Sequence, residues 1–211
     1  MHPSTLPLAA VAAALLLAAC GAPPMAGMPA TQATPATPVA GASAASRSPA
    51  IARLVTPQGQ PGGQAQLVDT PAGVQVTIEV QGLAPGKHGF HIHAHGACEP
   101  GPDGATGRIV PFGAAGPHFD PGATHNHGAP GRPHTEVHAG ELPNIEVGAD
   151  GRGRLQYVNA NVTLAPGKQA ALGRTLVVHA DADDYASDPS GNSGGRVLCG
   201  LIEPAQPTPV T

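Results

Sequence analysis

Short runs of alternating apolar residues, each closed by Gly and Pro, set the strongest limit on the fold. "IARLVT" (51–56), "GQAQLVD" (63–69), "GVQVTIEVQG" (73–82) and "KHGFHIHA" (87–94) are separated by "PQGQPG", "TPAG" and "LAPG". Period-two alternation suits a strand with one buried face, and Gly-Pro punctuation turns the chain back on itself. The first half therefore reads as an antiparallel meander. From Gly96 to Leu142 the strand character gives way to Gly, Pro and His, and a connection this long inside a compact domain is expected to be functional. Strand signals resume at "NIEVGAD" (144–150), "GRLQYVNANVTL" (153–164), "RTLVVHA" (174–180) and "RVLCGLIE" (196–203). Eight short strands predict an all-β sandwich or barrel. With 29 Gly, 25 Pro and 2% aromatic residues, the core must be built from Val, Leu, Ile and Ala, which suits strands better than long helices.

The ends do not belong to that pattern. Residues 1–20, "MHPSTLPLAAVAAALLLAAC", carry an apolar run from Leu6 to Ala19 interrupted only by Pro7, long enough for a secretory signal and short of a spanning helix. The ending Leu17-Ala18-Ala19-Cys20 resembles a bacterial lipoprotein signal, so residues 1–19 are expected to be removed and Cys20 lipidated. No Lys or Arg precedes the apolar run, a departure from such signals. Residues 20–49 are rich in Pro, Ala, Thr and Ser without apolar periodicity and read as a tether. A single domain is expected over 50–204, followed by a frayed tail at 205–211. The expected location is extracytoplasmic, periplasm or envelope, with the membrane reached only through the lipid. A formal net charge of -4 argues against nucleic acid as a partner.

Within "GFHIHAHGAC" (89–98), His91, His93 and His95 occupy alternate positions, which on a strand form one row opposite Phe90 and Ile92. Ten of the 11 histidines lie between 88 and 179, and His118, His125, His127, His134 and His138 crowd the long connection together with Glu136 and Glu141. Neutral imidazole binds late first-row metals, and nitrogen-rich sets suit copper and zinc. Spacing alone does not give the number of metals.

"HGFHIHAHGAC" (88–98), "AGPHFDP" (115–121), "HAGELPNI" (138–145), "TLVVHADADD" (175–184) and "GNSGGRVLCGLIE" (191–203) resemble, in order, the signature segments of copper,zinc superoxide dismutase. The resemblance spans about 51–203 and implies an eight-stranded Greek-key β-barrel with an immunoglobulin-like sandwich layout and long metal-binding and electrostatic loops. It implies copper on His91, His93, His118 and His179, and zinc on His118, His127, His138 and Glu141, with His118 shared. The family usually has Asp where Glu141 stands, and the extra methylene moves the carboxylate by about a bond length, enough to distort a tetrahedral shell. His88 matches a position that supports its strand, and His95 one that is usually not a ligand. His125 and His134 have no clear counterpart; they could be substitute ligands or mark a shifted alignment, and exposure is the expectation for both. Asp183 matches a carboxylate that accepts hydrogen bonds from one copper and one zinc histidine. Asp181 and Asp184 read as solvated loop charges. The resemblance also implies a Cys98–Cys199 disulfide, worth about 4.7 kcal/mol for a loop of this length in the chain-entropy account. Arg196 matches the arginine that holds superoxide beside copper.

The activity implied is dismutation of superoxide to dioxygen and hydrogen peroxide by a cycling copper, with His118 carrying a proton and Arg196 positioning the anion; a homodimer is the assembly the resemblance allows. Two competing readings use the same histidines: a copper-only dismutase with a degraded zinc site, and a non-catalytic extracytoplasmic metal buffer or delivery protein. Neither Arg196 nor Asp183 is needed for storage. From 51 to 211, nine Lys and Arg stand against fourteen Asp and Glu, a balance of -5 that repels an anionic substrate at long range. The segment "DADDYASDPSGNSGG" (181–195) contains no lysine, so attraction must be local, with Arg196 and the metal expected to dominate and Arg108 or Lys87 as the substitutes the sequence offers.

Overall fold

The computed structural model describes residues 49–104 and 106–206. The signal segment, Cys20 and nearly all of the tether lie outside these residues, as do the last five positions.

Eleven strands follow in order: β1 (Ala50–Val55), β2 (Pro61–Thr70), β3 (Gly73–Gln81), β4 (Gly86–His93), β5 (Gly101–Pro102), β6 (Ile109–Val110), β7 (Glu141–Val147), β8 (Arg152–Asn159), β9 (Thr175–His179), β10 (Arg196–Leu201) and β11 (Glu203–Pro204). Eight of them close a barrel in the order β10-β9-β4-β7-β8-β3-β2-β1, with β1 returning to β10. Every strand pair is antiparallel. Consecutive β3 and β4 are separated by β8 and β7, and consecutive β8 and β9 by β7 and β4, which are Greek-key crossovers. β5 and β6 form a separate small hairpin within the long connection.

The barrel is flattened into two four-stranded sheets. β7 and β8 share a single register pair, Val147 with Gly153, and β1 meets the last part of the chain at Val55 with Cys199, Ile51 with Glu203 and Ala50 with Pro204. Between the sheets lies the core. Leu54, Leu67, Val76 and Ile78 from one sheet meet Phe90, Ile92, Leu142, Leu176 and Leu198 from the other, all nearly inaccessible to solvent. In the β1-β2-β3-β8 sheet the outward positions stay open, so β8 alternates exposed and half-buried residues along its length. The β7-β4-β9-β10 sheet is buried on both faces through its central part. β4 is buried from His88 to His93 and β9 throughout, because two loops, 94–140 and 180–195, cover its outer side.

Two strand boundaries differ from the sequence reading. β8 ends at Asn159 instead of running to Leu164, because Asn159 Oδ1 accepts the Asn161 N–H at 2.9 Å and turns the chain; Val162 and Leu164 are still buried. β7 begins at Glu141 instead of Asn144, since Glu141 pairs directly with His91 across the sheet. The polar Glu-Leu-Pro stretch hides a strand whose outward residue is needed by the site.

Candidate metal centre

Register builds the site on the outer face of the doubly covered sheet. His91 pairs with Glu141 on β7 and with Val177 on β9, and Val177 pairs with Cys199 on β10. One cross-strand row therefore carries an imidazole, a carboxylate and a disulfide sulfur. His93 stands two residues along β4, and His179 faces Arg196 between β9 and β10. His118 arrives from the long connection, bridged to His93, with the Phe119 N–H donating to the Ile92 carbonyl at 2.8 Å. His127, His138 and Asp183 complete the cluster, and all of these histidines, Glu141 and Asp183 are buried.

Hydrogen bonds assign the ring nitrogens. His93 Nδ1–H donates to the Gly116 carbonyl at 2.8 Å and His179 Nδ1–H to the Gly194 carbonyl at 3.2 Å. His91 Nε2–H donates to Asp183 Oδ2 at 2.7 Å. Each of these rings keeps its other nitrogen for the pocket. His93 Nε2 and His179 Nε2 lie 3.3 Å apart with no hydrogen left to place between two neutral rings, and His91 Nδ1 and His118 Nε2 are buried with no partner. Bare lone pairs converging out of solvent are costly unless a cation fills the space between them. The donor atoms of His91, His93, His118 and His179 lie within 4.8 Å of one another.

The second pocket is organised around one oxygen. Glu141 Oε1 accepts from His138 Nδ1–H at 2.7 Å, His127 Nδ1–H at 2.9 Å and His118 Nδ1–H at 3.1 Å. Three donors exceed the two lone pairs of a carboxylate oxygen. Three deprotonated Nδ1 atoms and this oxygen around a tetrahedral cation resolve the crowding, and the set His118, His127, His138 and Glu141 again falls within 4.8 Å. The added methylene of Glu141 does not withdraw its carboxylate from the ligand set. His118 serves both pockets, Nδ1 toward Glu141 and Nε2 toward the four nitrogens.

Burial sets the protonation states apart. It pulls His91 and His93 well below the ordinary imidazole range, lowers His118, and takes His179 down to about 3. The four-nitrogen pocket is thus lined by neutral rings. Burial also disfavours the His127 imidazolium, but hydrogen bonds to Asp183 and Glu141 outweigh it and raise its pKa to about 10. Burial would raise Glu141, yet hydrogen bonds from His118, His127 and His138 hold it far below the usual carboxylate range. The second pocket thus pairs the Glu141 carboxylate with the His127 imidazolium.

Asp183 links the pockets, accepting from His91 at Oδ2 and from His127 Nε2–H at Oδ1, 2.8 Å away. Gly191 passes so close that a Cβ there would lie 1.8 Å from Asp183 Oδ1 and 2.6 Å from His127 Nε2, and its φ of 63° suits glycine as well. Arg196 is pinned by its own two bonds of 2.7 Å, Nη1–H to the Phe112 carbonyl and Nη2–H to the Gly116 carbonyl, the same carbonyl that holds His93. Burial pulls the Arg196 guanidinium below its ordinary range, and the Asp103 carboxylate acts in the opposite direction. Cys98 and Cys199 form the disulfide, Cα atoms 5.7 Å apart, tying the loop that supplies these carbonyls to β10.

The other expectations divide. His88 is buried between the carbonyls of His179 and Ala84, each 2.8 Å away, a strand support as expected. His95 is exposed, with Nδ1 3.2 Å from the Ala114 carbonyl, and His125 is exposed. His134 is half-buried rather than exposed, because Gln169 Nε2 lies 3.0 Å from its Nε2. Asp181 is exposed, but Asp184 is more than a solvated charge. It accepts the N–H groups of Ala186 and Ser187 and side-chain bonds from Ser187 and Asn192, which hold its carboxyl well below the usual range and shape the loop. Sequence reasoning missed Asn144, Tyr185, Asn159 and Asp188. Asp188 Oδ1 accepts the His127 N–H at 2.6 Å, and Asn159 Nδ2 donates to the Ala139 carbonyl at 2.9 Å, between His138 and Glu141. Polar residues in turns give no pattern that separates such clamps from ordinary loop residues.

Known proteins share the sequence and fold of this chain. A family model described as copper/zinc superoxide dismutase (SODC) matches residues 62–202. "Superoxide dismutase [Cu-Zn]" of Deinococcus radiodurans is 50% identical over 152 residues, covering 72% of this chain and 82% of that protein. "Superoxide dismutase [Cu-Zn] 2" of Aquifex aeolicus is 38% identical over 159 residues, covering 72% and 85%. Among solved structures, the Cu/Zn superoxide dismutase from Brucella abortus aligns with a TM-score of 0.64 at 33% identity, covering 74% of this chain and 99% of that one. A SOD-like protein from Bacillus subtilis aligns with a TM-score of 0.60 at 32% identity, covering 72% and 97%. With the family model running from the start of β2 through β10 and taking in both loops, the chain belongs to the copper/zinc superoxide dismutase family.

Proposed function

We propose that this protein dismutates superoxide, two superoxide anions and two protons giving dioxygen and hydrogen peroxide. The observation that carries the reading is His118, one imidazole presenting Nδ1 to the carboxylate pocket and a partnerless Nε2 to the four-nitrogen pocket, within the sheet region where Arg196 faces His179. His91 Nδ1, His93 Nε2, His118 Nε2 and His179 Nε2 would hold copper, and the Nδ1 atoms of His118, His127 and His138 with Glu141 would hold zinc. Copper supplies one-electron redox chemistry when bound, and zinc, redox-inert, supplies charge.

The chain's own residues do the rest. Arg196 offers a fixed guanidinium to a small anion, and its anchoring to Phe112 and Gly116 fixes its orientation toward the site. His118 Nε2 holds and releases a proton while Nδ1 stays on the zinc side, so proton movement is confined to one atom. His93 and His179 are fixed by backbone carbonyls and keep their tautomers. The complete carboxylate pocket favours this reading over a copper-only dismutase, and the pinned Arg196 favours it over a metal buffer.

Superoxide turnover measured by pulse radiolysis, with copper and zinc quantified on the same sample, tests the proposal. Turnover should scale with copper content and persist at full copper loading; turnover independent of copper would overturn it. Residues 1–49 further support export, removal of 1–19 and lipid attachment at Cys20. Mass spectrometry of the mature N-terminus should find acylated Cys20, and an unmodified Met1 would refute this.

A further inference from the structure

The pairing of β4 with β7 breaks at one point. His88 faces Ile145 and Phe90 faces Leu142, which leaves Gly89 on one strand and Pro143 and Asn144 on the other outside the ladder. Pro143 has no N–H to give. The N–H groups of Gly89 and Asn144 turn instead to the 180–195 loop, donating to the Asp181 carbonyl at 2.8 Å and to the Tyr185 phenol oxygen at 2.7 Å. Between these two anchors the Asn144 side chain brackets Asp183: its Oδ1 accepts the Asp183 N–H at 2.8 Å, and its Nδ2–H donates to the Asp183 carbonyl at 2.9 Å. Tyr185 closes the ring, its own N–H donating to Asp183 Oδ1 at 2.6 Å. It does so at φ 60°, a left-handed conformation unfavourable for a bulky residue and kept only where surrounding bonds over-determine it.

We infer that Asn144 and Tyr185 are positioning residues that set where and how the Asp183 carboxylate meets His91 and His127. The inference rests on the reading of Asp183 as the carboxylate joining the two pockets. A carboxylate that serves rings from a strand and a loop must be fixed in place and in rotation. The bracket around its peptide fixes the first, and the Tyr185 N–H on Oδ1 fixes the second. An interrupted ladder is what frees the donors for this work, consistent with bulges re-aiming groups beside active sites.

The test uses the full chain loaded with both metals, comparing wild type with Asn144→Ala, Tyr185→Phe and, as a reference, Asp183→Asn. The zinc dissociation constant is read by competition with a chromophoric chelator, the copper environment by electron paramagnetic resonance, and folding by Tm. Asn144→Ala should weaken zinc by about tenfold or more and alter the copper spectrum in the same direction as Asp183→Asn. Tyr185→Phe, which removes one acceptor, should weaken zinc roughly threefold and decides the matter if Asn144→Ala does not fold. A lowered Tm with wild-type zinc affinity and copper spectrum in both variants would make the ring merely structural and overturn the inference. If Asp183→Asn alone moves the metal readouts, only this inference fails. If Asp183→Asn also leaves them unmoved, the reading of Asp183 falls and the inference falls with it.

Discussion

The four-nitrogen pocket takes three of its donors from strands, His91 and His93 from β4 and His179 from β9, whereas the carboxylate pocket takes His118, His127 and His138 from one long connection and only Glu141 from a strand. Their chemistry differs in the same way. Burial first, and then repulsion from neighbouring rings, keeps His91, His93 and His179 neutral, whereas hydrogen bonds between carboxylates and imidazoles hold charge in the second set. Strand register places these rings, and Asp183 and two backbone carbonyls fix their rotation. The loop has no such register, and it is held by Glu141, Asp183, Asp188 and Asn159. One pocket is a product of the barrel and the other is assembled upon it.

His118 is where the comparison can be broken most severely. His118→Ala deletes a donor from both sets, so dismutation should fall by on the order of 10³-fold or more, the scale at which removing one member of a tightly coupled catalytic set acts. Zinc content should fall with it. Activity and zinc both near wild type would show that the pockets do not share this ring.

Arg196→Ala comes next. It leaves both ligand sets intact and removes the anion's fixed donor, so turnover per bound copper should drop about 10²-fold while copper and zinc contents hold. A chain with a charge balance of -5 over 51–211 has little other attraction to offer. Loss of metal in this variant would mean that the arginine supports the pocket rather than the substrate.

The unequal origin of the pockets also decides what was legible in the sequence. His91 and His93 could be read from alternation along one strand, and His179, His118, Arg196 and the disulfide from motifs resembling a known family. The eight barrel strands were legible from period and punctuation. Glu141 was legible as a candidate ligand but not as a strand residue, because Glu-Leu-Pro lacks alternation and owes its strand to pairing with His91. The clamps were not legible. Asn144, Tyr185 and Asp188 act through bonds between residues 39 to 61 positions apart, and no local signal records which turn residue will meet which.

A metal-free sample sharpens the contrast in protonation. His91, His93 and His179 have folded pKa values below the unfolded value, so the stability linked to them is present above about 6.5 and is lost as pH falls. His127 has the opposite sign. Its contribution is complete below about 6.5 and is lost as pH rises toward 10. The Tm of the metal-free protein should therefore be greatest near neutral pH and decline on both sides, and loading both metals should flatten the alkaline limb, because zinc held as proposed would take the place of the His127 Nδ1 proton. An alkaline limb of equal slope with and without zinc would break the assignment of His127 to that pocket.

The mildest test concerns Glu141, the proposed zinc ligand that stands where the family usually has Asp. Glu141 Oε1 lies 2.7 to 3.1 Å from three imidazole nitrogens, and the backbone at 141 is fixed by its pairing with His91. Glu141→Asp would withdraw the oxygen by about one bond length from a position the rings already surround. Zinc affinity should fall roughly tenfold, while the copper spectrum stays close to wild type because no donor of the four-nitrogen set changes. Wild-type zinc affinity in Glu141→Asp would mean that the loop follows the carboxylate, and that the carboxylate pocket is the adaptable one. A changed copper spectrum would mean instead that His118 carries the displacement across, and the two pockets would have to be treated as one mechanical unit.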